Sequence, residues 1–219
     1  MKLVLHSIVA AAALAAAAQA SAFTIDFENL AVGTTLAGQY TAVGATFSAN
    51  AFSGPGSSTS GSAWASNTDM TIVSSTGADV GGLGTPAGLV SGNILRSFAG
   101  WLTETGDPSF RVTFGGAGAT TFSAAFAGVS TGADVRVFAY NGATLLSTVA
   151  GSTTGQFVLS YAAPKITSVV IAPGSFFDWV GVDNINFTLA PIPEPETYAL
   201  MGLGLGVVAL ARRRAKAAA

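Results

Sequence analysis

Two short runs, Phe110-Arg111-Val112-Thr113-Phe114 and Phe122-Ser123-Ala124-Ala125-Phe126, decide how this chain folds. In the first, Phe110, Val112 and Phe114 alternate with Ser109, Arg111 and Thr113; in the second, Phe122, Ala124 and Phe126 keep the same beat. A period of two places each apolar set on one face of a β-sheet. Gly115-Gly116-Ala117-Gly118 lies between them and can reverse the chain at little steric cost. The alternation recurs outward from this pair. Phe23, Ile25 and Phe27 carry it near the start, then Val135, Val137 and Ala139, then Phe157, Leu159 and Tyr161, then Thr167, Val169 and Ile171. Asn141-Gly142 is a hairpin signal, and Gly151 to Gly155 and Pro173-Gly174 are further turn chemistry. Short strands at such spacing predict an all-β fold over residues 23–190, an antiparallel β-sandwich of jelly-roll type. The stretch Ala51 to Ser91 is rich in Ser, Gly and Thr, with apolar islands only at Ala63-Trp64-Ala65 and Met70 to Val73. It reads as a long loop or as short strands with loose joins.

Composition removes several function classes. The chain has 219 residues, 50% hydrophobic and 9% charged, with a formal net charge of −2. No basic field for nucleic acid is present. Between Phe23 and Ala190 nine acids face four bases, Arg96, Arg111, Arg136 and Lys165. Cys is absent and His6 is the one histidine. Thiolate or imidazole metal sites and a Ser-His-Asp triad are therefore excluded once His6 is removed with the leader described below. Carboxylate pairs such as Glu28 with Asp183, or Glu104 with Asp107, are the material for glycoside hydrolysis, but no glycosidase motif surrounds them. The expectation is that the protein is not an enzyme. Gly202-Leu203-Gly204-Leu205-Gly206 follows no strand and is not a dinucleotide fingerprint.

The two ends read as addresses. Lys2, an apolar stretch from Leu3 to Ala18, and small residues at Ala18-Gln19-Ala20 and Ala20-Ser21-Ala22 make a secretory signal peptide. Cleavage is expected after Ala22, giving a leader of residues 1–22. At the other end, the stiff Pro191-Ile192-Pro193-Glu194-Pro195-Glu196 precedes an apolar run from Tyr198 to Ala211, then Arg212, Arg213, Arg214 and Lys216. Thr197 is the expected cap. The run predicts one short hydrophobic helix with no polar face, about 21 Å long, entering the membrane with the arginines on the cytoplasmic side. Pro193-Glu194-Pro195, Tyr198-Ala199-Leu200-Met201, the Gly-rich apolar run and Arg212-Arg213-Arg214 together resemble the PEP-CTERM sorting signal of exopolysaccharide-producing Gram-negative bacteria, over residues 191–219. The resemblance implies recognition by an exosortase at the inner membrane, then release to the cell surface or extracellular matrix. Glu194 is in that case part of a substrate motif.

Trp179-Val180-Gly181-Val182-Asp183-Asn184-Ile185-Asn186-Phe187 is the most informative stretch for a ligand. Strict alternation puts Asp183 on the core face with Trp179, Ile185 and Phe187, where a carboxylate needs a cation or several donors. The ending resembles the last strand of carbohydrate-binding jelly rolls. The resemblance implies structural Ca²⁺ held by Asp183 with Asp26 and Glu28 of the first strand; the bland alternative is that Asp183 caps backbone N–H groups at a bulge. Trp64 and Trp101 are candidate stacking platforms for sugar rings, ahead of Tyr40, Tyr161 and Trp179. No sustained Thr-x-Thr ladder favours ice binding. The combined expectation is an exported surface or matrix protein, structural or adhesive in exopolysaccharide or biofilm. The alternatives are a calcium-stabilised carbohydrate-binding module and, behind it, a carboxylate-based glycan hydrolase.

Overall fold

The structure is a computed structural model that describes residues 20–49, 70–76, 89–96, 109–129, 132–172, 180–191 and 195–217. Residues 21–190 form one compact unit, and the C-terminal segment belongs to another. The first strand, β1, is Ser21–Ile25, and its Ser21 and Ala22 pair with Leu189 and Thr188 near the end of the unit.

Ten further strands follow: β2 (Ala45–Ala49), β3 (Thr71–Ser74), β4 (Asn93–Arg96), β5 (Phe110–Phe114), β6 (Ala119–Val129), β7 (Arg136–Asn141), β8 (Thr144–Ala150), β9 (Gly155–Ile166), β10 (Ser168–Ala172) and β11 (Gly181–Leu189). They build two antiparallel sheets. One runs β3-β4-β11-β6-β9, with β1 also paired to β11; the other runs β2-β5-β10-β7-β8. β4 pairs with Gly181 and Val182 of β11, and β1 pairs with Ile185 to Leu189, so the two short strands occupy successive stretches of β11. The apolar island Met70 to Val73 therefore becomes a strand, with Ile72 opposite Leu95 and both in the core.

The alternating sets meet where the sheets face each other. Phe110, Val112 and Phe114 of one sheet share a core with Phe122, Ala124, Phe126, Ile185 and Phe187 of the other. Phe114 lies 5.1 Å from Phe187 and 6.2 Å from Phe122, ring centre to ring centre. Val137, Ala139, Leu159, Val169 and Ile171 complete this layer. The turn before β6 needs glycine at Gly118, whose φ is +88° and where a Cβ would stand 2.7 Å from the Ile166 carbonyl oxygen. The β7–β8 hairpin turns at Gly142-Ala143, one residue later than Asn141-Gly142. Asn141 pairs with Thr144, and Gly142 takes the positive φ of +59° that the first central position of a II′ turn requires.

Two features depart from strict alternation. β1 ends at Ile25, and Phe27 reaches the core from a turn with φ +59°, packing edge-on against Tyr40 at 5.9 Å and Phe47 at 6.3 Å. In β11 the pairing with β6 slips between Asp183 and Asn186, and Asn184 sits at φ +48°. This bulge inverts the phase of the strand. Val180 and Val182 point into the core before it, and Ile185 and Phe187 after it. Asp183 consequently lies on the opposite face, beside its cross-strand partner Ala125, which packs in a small separate cluster with Val73, Val90, Ile94 and Ala127. The expectation of a carboxylate on the core face fails for this reason.

Helix α1, Pro195–Ala217, makes up the C-terminal segment. It begins at Pro195 instead of after Thr197, since proline is well suited to the first helical position, where no N–H is needed. Leu203, Leu205, Val207, Val208 and Leu210 are all at least half exposed, so the helix has no polar face along this run. Among the described residues no helix is long and apolar enough to cross a membrane. The expected transmembrane helix is corrected accordingly. Fourteen residues from Tyr198 to Ala211 fall short of the roughly 20 a span usually takes, and three arginines follow at once.

Candidate functional site

Asp26, Glu28 and Asp183 lie around the corner where β1 ends and β11 bulges, without converging on one point. Asp26 follows β1 directly, and its Oδ1 accepts the Glu28 N–H at 3.2 Å, a turn-closing bond of the Asx kind. Glu28 Oε1 accepts the Asn93 N–H at 3.1 Å, while Asn93 Nδ2 donates to the Leu30 carbonyl at 2.8 Å. Gly92, at φ +62°, lies so close to the Glu28 carboxylate that any Cβ there would collide with it. Asp183 is 1% exposed. Its Oδ2 accepts the Ser91 N–H at 3.1 Å, and its Oδ1 accepts the Asn184 N–H at 2.6 Å. The Asn184 amide donates to Asp183 Oδ2 at 3.3 Å and to the Leu89 carbonyl at 2.9 Å. These bonds tie the 89–93 turn to β11 and to the loop after β1.

The electrostatics follow from this packing. Burial pushes the Asp183 carboxyl up from 3.8 to about 6; the N–H groups of Ser91 and Asn184 oppose the rise, and the charges of Glu28 and Asp26 add to it. Tyr40, whose hydroxyl donates to Asn29 Oδ1 at 2.6 Å, is raised to about 12 by burial and then by Asp26.

The oxygens that a calcium ion would need here also serve backbone amides. Calcium takes six to eight oxygens; here both Asp183 oxygens accept N–H donors, and one oxygen each of Asp26 and Glu28 accepts a backbone amide. Among the described residues no three acidic or imidazole groups converge on one point. The geometry is that of a carboxylate capping backbone N–H groups at a bulge.

Trp64, Trp101 and Trp179, the carboxylates Glu104 and Asp107, the leader residues 1–19 and the motif residues Pro193 and Glu194 lie outside the described residues. Pro195 opens α1, and Arg212, Arg213 and Arg214 are exposed near its end.

The outer face of the first sheet holds a site that strand patterns alone did not point to. Register brings Thr24, Asn186, Ser123 and Ser160 into one row across β1, β11, β6 and β9. Two residues along each strand, Ala22, Thr188, Thr121 and Ala162 make a second row. Between the rows runs an open trough of about 550 Å³. Its floor is the backbone of Phe23, Phe187, Phe122 and Tyr161, whose side chains turn inward to the core. Thr24 Oγ1 donates to Asn186 Oδ1 at 2.6 Å, and Asn186 Nδ2 donates to the Asn184 carbonyl at 2.7 Å, so this amide is held in one orientation. The alternation of small polar residues was visible in each strand; their alignment across four strands depended on register.

Residues 191–215 match the family described as the PEP-CTERM protein-sorting motif. The chain carries this motif, which marks it as an exported protein processed by an exosortase. No curated protein matches the chain significantly. Among solved structures, the K2 cleaved adhesin domain of Lys-gingipain is similar at 15% identity and a TM-score of 0.48, covering 78% of this chain and 99% of that one. The isomalto-dextranase of Arthrobacter globiformis T6, complexed with panose, is similar at 13% identity and a TM-score of 0.30, covering 78% of this chain and 33% of that one.

Proposed function

We propose that this protein is a non-catalytic component of the cell surface or extracellular matrix, structural or adhesive in an exopolysaccharide or biofilm, delivered there through exosortase processing of its tail. The sorting motif at 191–215 is the observation that carries the reading. The sandwich supports it: a continuous two-sheet core offers a durable scaffold, and a surface rich in Ser and Thr with few charges stays hydrated without drawing in ionic partners. The absence of Cys, and of any His beyond His6, supports a non-enzymatic role.

Fractionation of the native host tests it. In cells with a functional exosortase the protein is expected in the matrix or surface fraction, its mass lacking α1. Replacement of Pro193-Glu194-Pro195 by alanines should leave it in the membrane fraction with the tail intact. Unchanged processing in that variant, or an even distribution between matrix and periplasm, would overturn the reading.

A further inference from the structure

We propose that the trough on the outer face of the first sheet binds an uncharged, hydroxyl-rich polysaccharide chain laid across β1, β11, β6 and β9. The inference deepens the matrix reading and rests on it for the class of polymer at hand. The site itself stands on the geometry.

The trough has the dimensions of a binding cleft. Its 550 Å³ falls within the range of ligand pockets, and four strands at their usual spacing give it a length of about 14 Å. It is built on rigid elements, because β11 and β6 are interior strands paired on both sides. Its walls stand two residues apart along the strands, about 6.7 Å.

The lining chooses the ligand class. Among the described residues no charged side chain lines the trough. A polyanion would find no counter-charge there, and the surplus of acids between Phe23 and Ala190 repels it. A protein partner would find no large apolar anchor, since the aromatic rings under the floor point inward. The outward groups are the hydroxyls of Thr24, Thr121, Ser123, Ser160 and Thr188, one amide, and the methyls of Ala22 and Ala162. Hydroxyls both donate and accept, which matches a polyol whose every ring presents the same mixed chemistry between C–H faces. Among the described residues the hydroxyls of Thr121, Ser123 and Ser160 take part in no hydrogen bond, and Asn186 is already fixed by Thr24 and Asn184. Thr24 and Asn186 are thus held in place before a ligand arrives, which lowers the ordering cost of binding at that end of the row.

Isothermal titration of the full-length protein tests this, with cellohexaose and dextran as neutral probes and alginate as the anionic one. The expected result is saturable binding to at least one neutral glucan, insensitive to added salt. Ser123→Glu and Thr121→Arg, which put charge and bulk into the trough from outward positions, should weaken it about tenfold or more. Leu145→Glu, on the other sheet and half exposed, should leave it unchanged. Equal melting temperatures for the three variants separate loss of binding from loss of fold. The proposal is overturned by no binding to either neutral glucan, by binding that survives both trough substitutions, or by salt-sensitive binding to alginate alone. It is also overturned by a dimer that the trough substitutions dissociate, or by ice-recrystallisation inhibition without glycan binding. Failure of these titrations in a protein still found in the matrix fraction refutes the trough and leaves the matrix reading. Glucan binding by a protein absent from the matrix does the reverse.

Discussion

Replacing Asp183 by asparagine should change how stability depends on pH. In the folded chain this carboxyl keeps its proton up to about pH 6, whereas the free side chain releases it near 3.8. The folded state therefore binds the proton more tightly. Its contribution is fully present below about pH 3.8, is lost as pH rises through about 6, and is constant above that. The gap corresponds to roughly 3 kcal/mol over the full titration, of which about 2 kcal/mol falls between pH 4 and pH 8. The group is 1% exposed, so solvent screening removes little of this. Asparagine has the same shape and no charge. Its one carbonyl oxygen serves either the Ser91 or the Asn184 N–H, and the N–H left facing its NH₂ costs about 1–3 kcal/mol at every pH. That penalty shifts the curve without tilting it. Urea unfolding of both proteins at a series of pH values reads the difference. Relative to the variant, the wild type should lose about 2 kcal/mol on going from pH 4 to pH 8. Parallel profiles, or a ¹³C-detected midpoint for Asp183 near 4, would refute the reasoning.

Three other outcomes follow from the packing. Phe187→Ala removes a ring that is 1% exposed and lies 5.1 Å from Phe114 and 5.5 Å from Phe23; denaturant unfolding should show a loss of about 3–5 kcal/mol. Gly118→Ala forces a Cβ to within 2.7 Å of the Ile166 carbonyl oxygen at φ +88°, and should cost about 1–3 kcal/mol in the same measurement, where a change at the open Gly142 turn meets no such contact. Because Ser21 and Ala22 pair with Leu189 and Thr188, leader cleavage after Ala20 preserves all of β1, and intact mass should place the mature N-terminus at Ser21; a start at Phe23 would show that the first two pairs of the strand are dispensable.

Much of the sandwich was legible in the chain. Phe110, Val112 and Phe114, and likewise Phe122, Ala124 and Phe126, point inward as their period of two requires, because each strand's alternation is local and one face must leave water. The corner acids were legible in part, in that Asp26 and Glu28 near the start lie close enough to Asp183 near the end for their charges to act on it. Their chemistry was not. The side of the sheet on which Asp183 stands depends on one extra residue at Asn184, and an Asp-Asn pair in a strand carries no mark that separates a bulge from regular pairing. The row Thr24, Asn186, Ser123 and Ser160 was hidden for a related reason. Each residue is ordinary on the polar face of its own strand, and only the pairing of strands up to 162 positions apart aligns them.

What the sequence determined by itself is what short-range physics controls: the strand period, the glycine turns, the absence of thiol and all but one imidazole, and a sorting tail read as a linear motif. The tertiary structure decided what depends on register: the phase of β11 after its bulge, the capping of the Ser91 and Asn184 amides by Asp183, and the trough across four strands. Side-chain alternation repeats every two residues, so a shift of one exchanges the faces of a strand, and that shift is settled only when the sheets assemble around a common core.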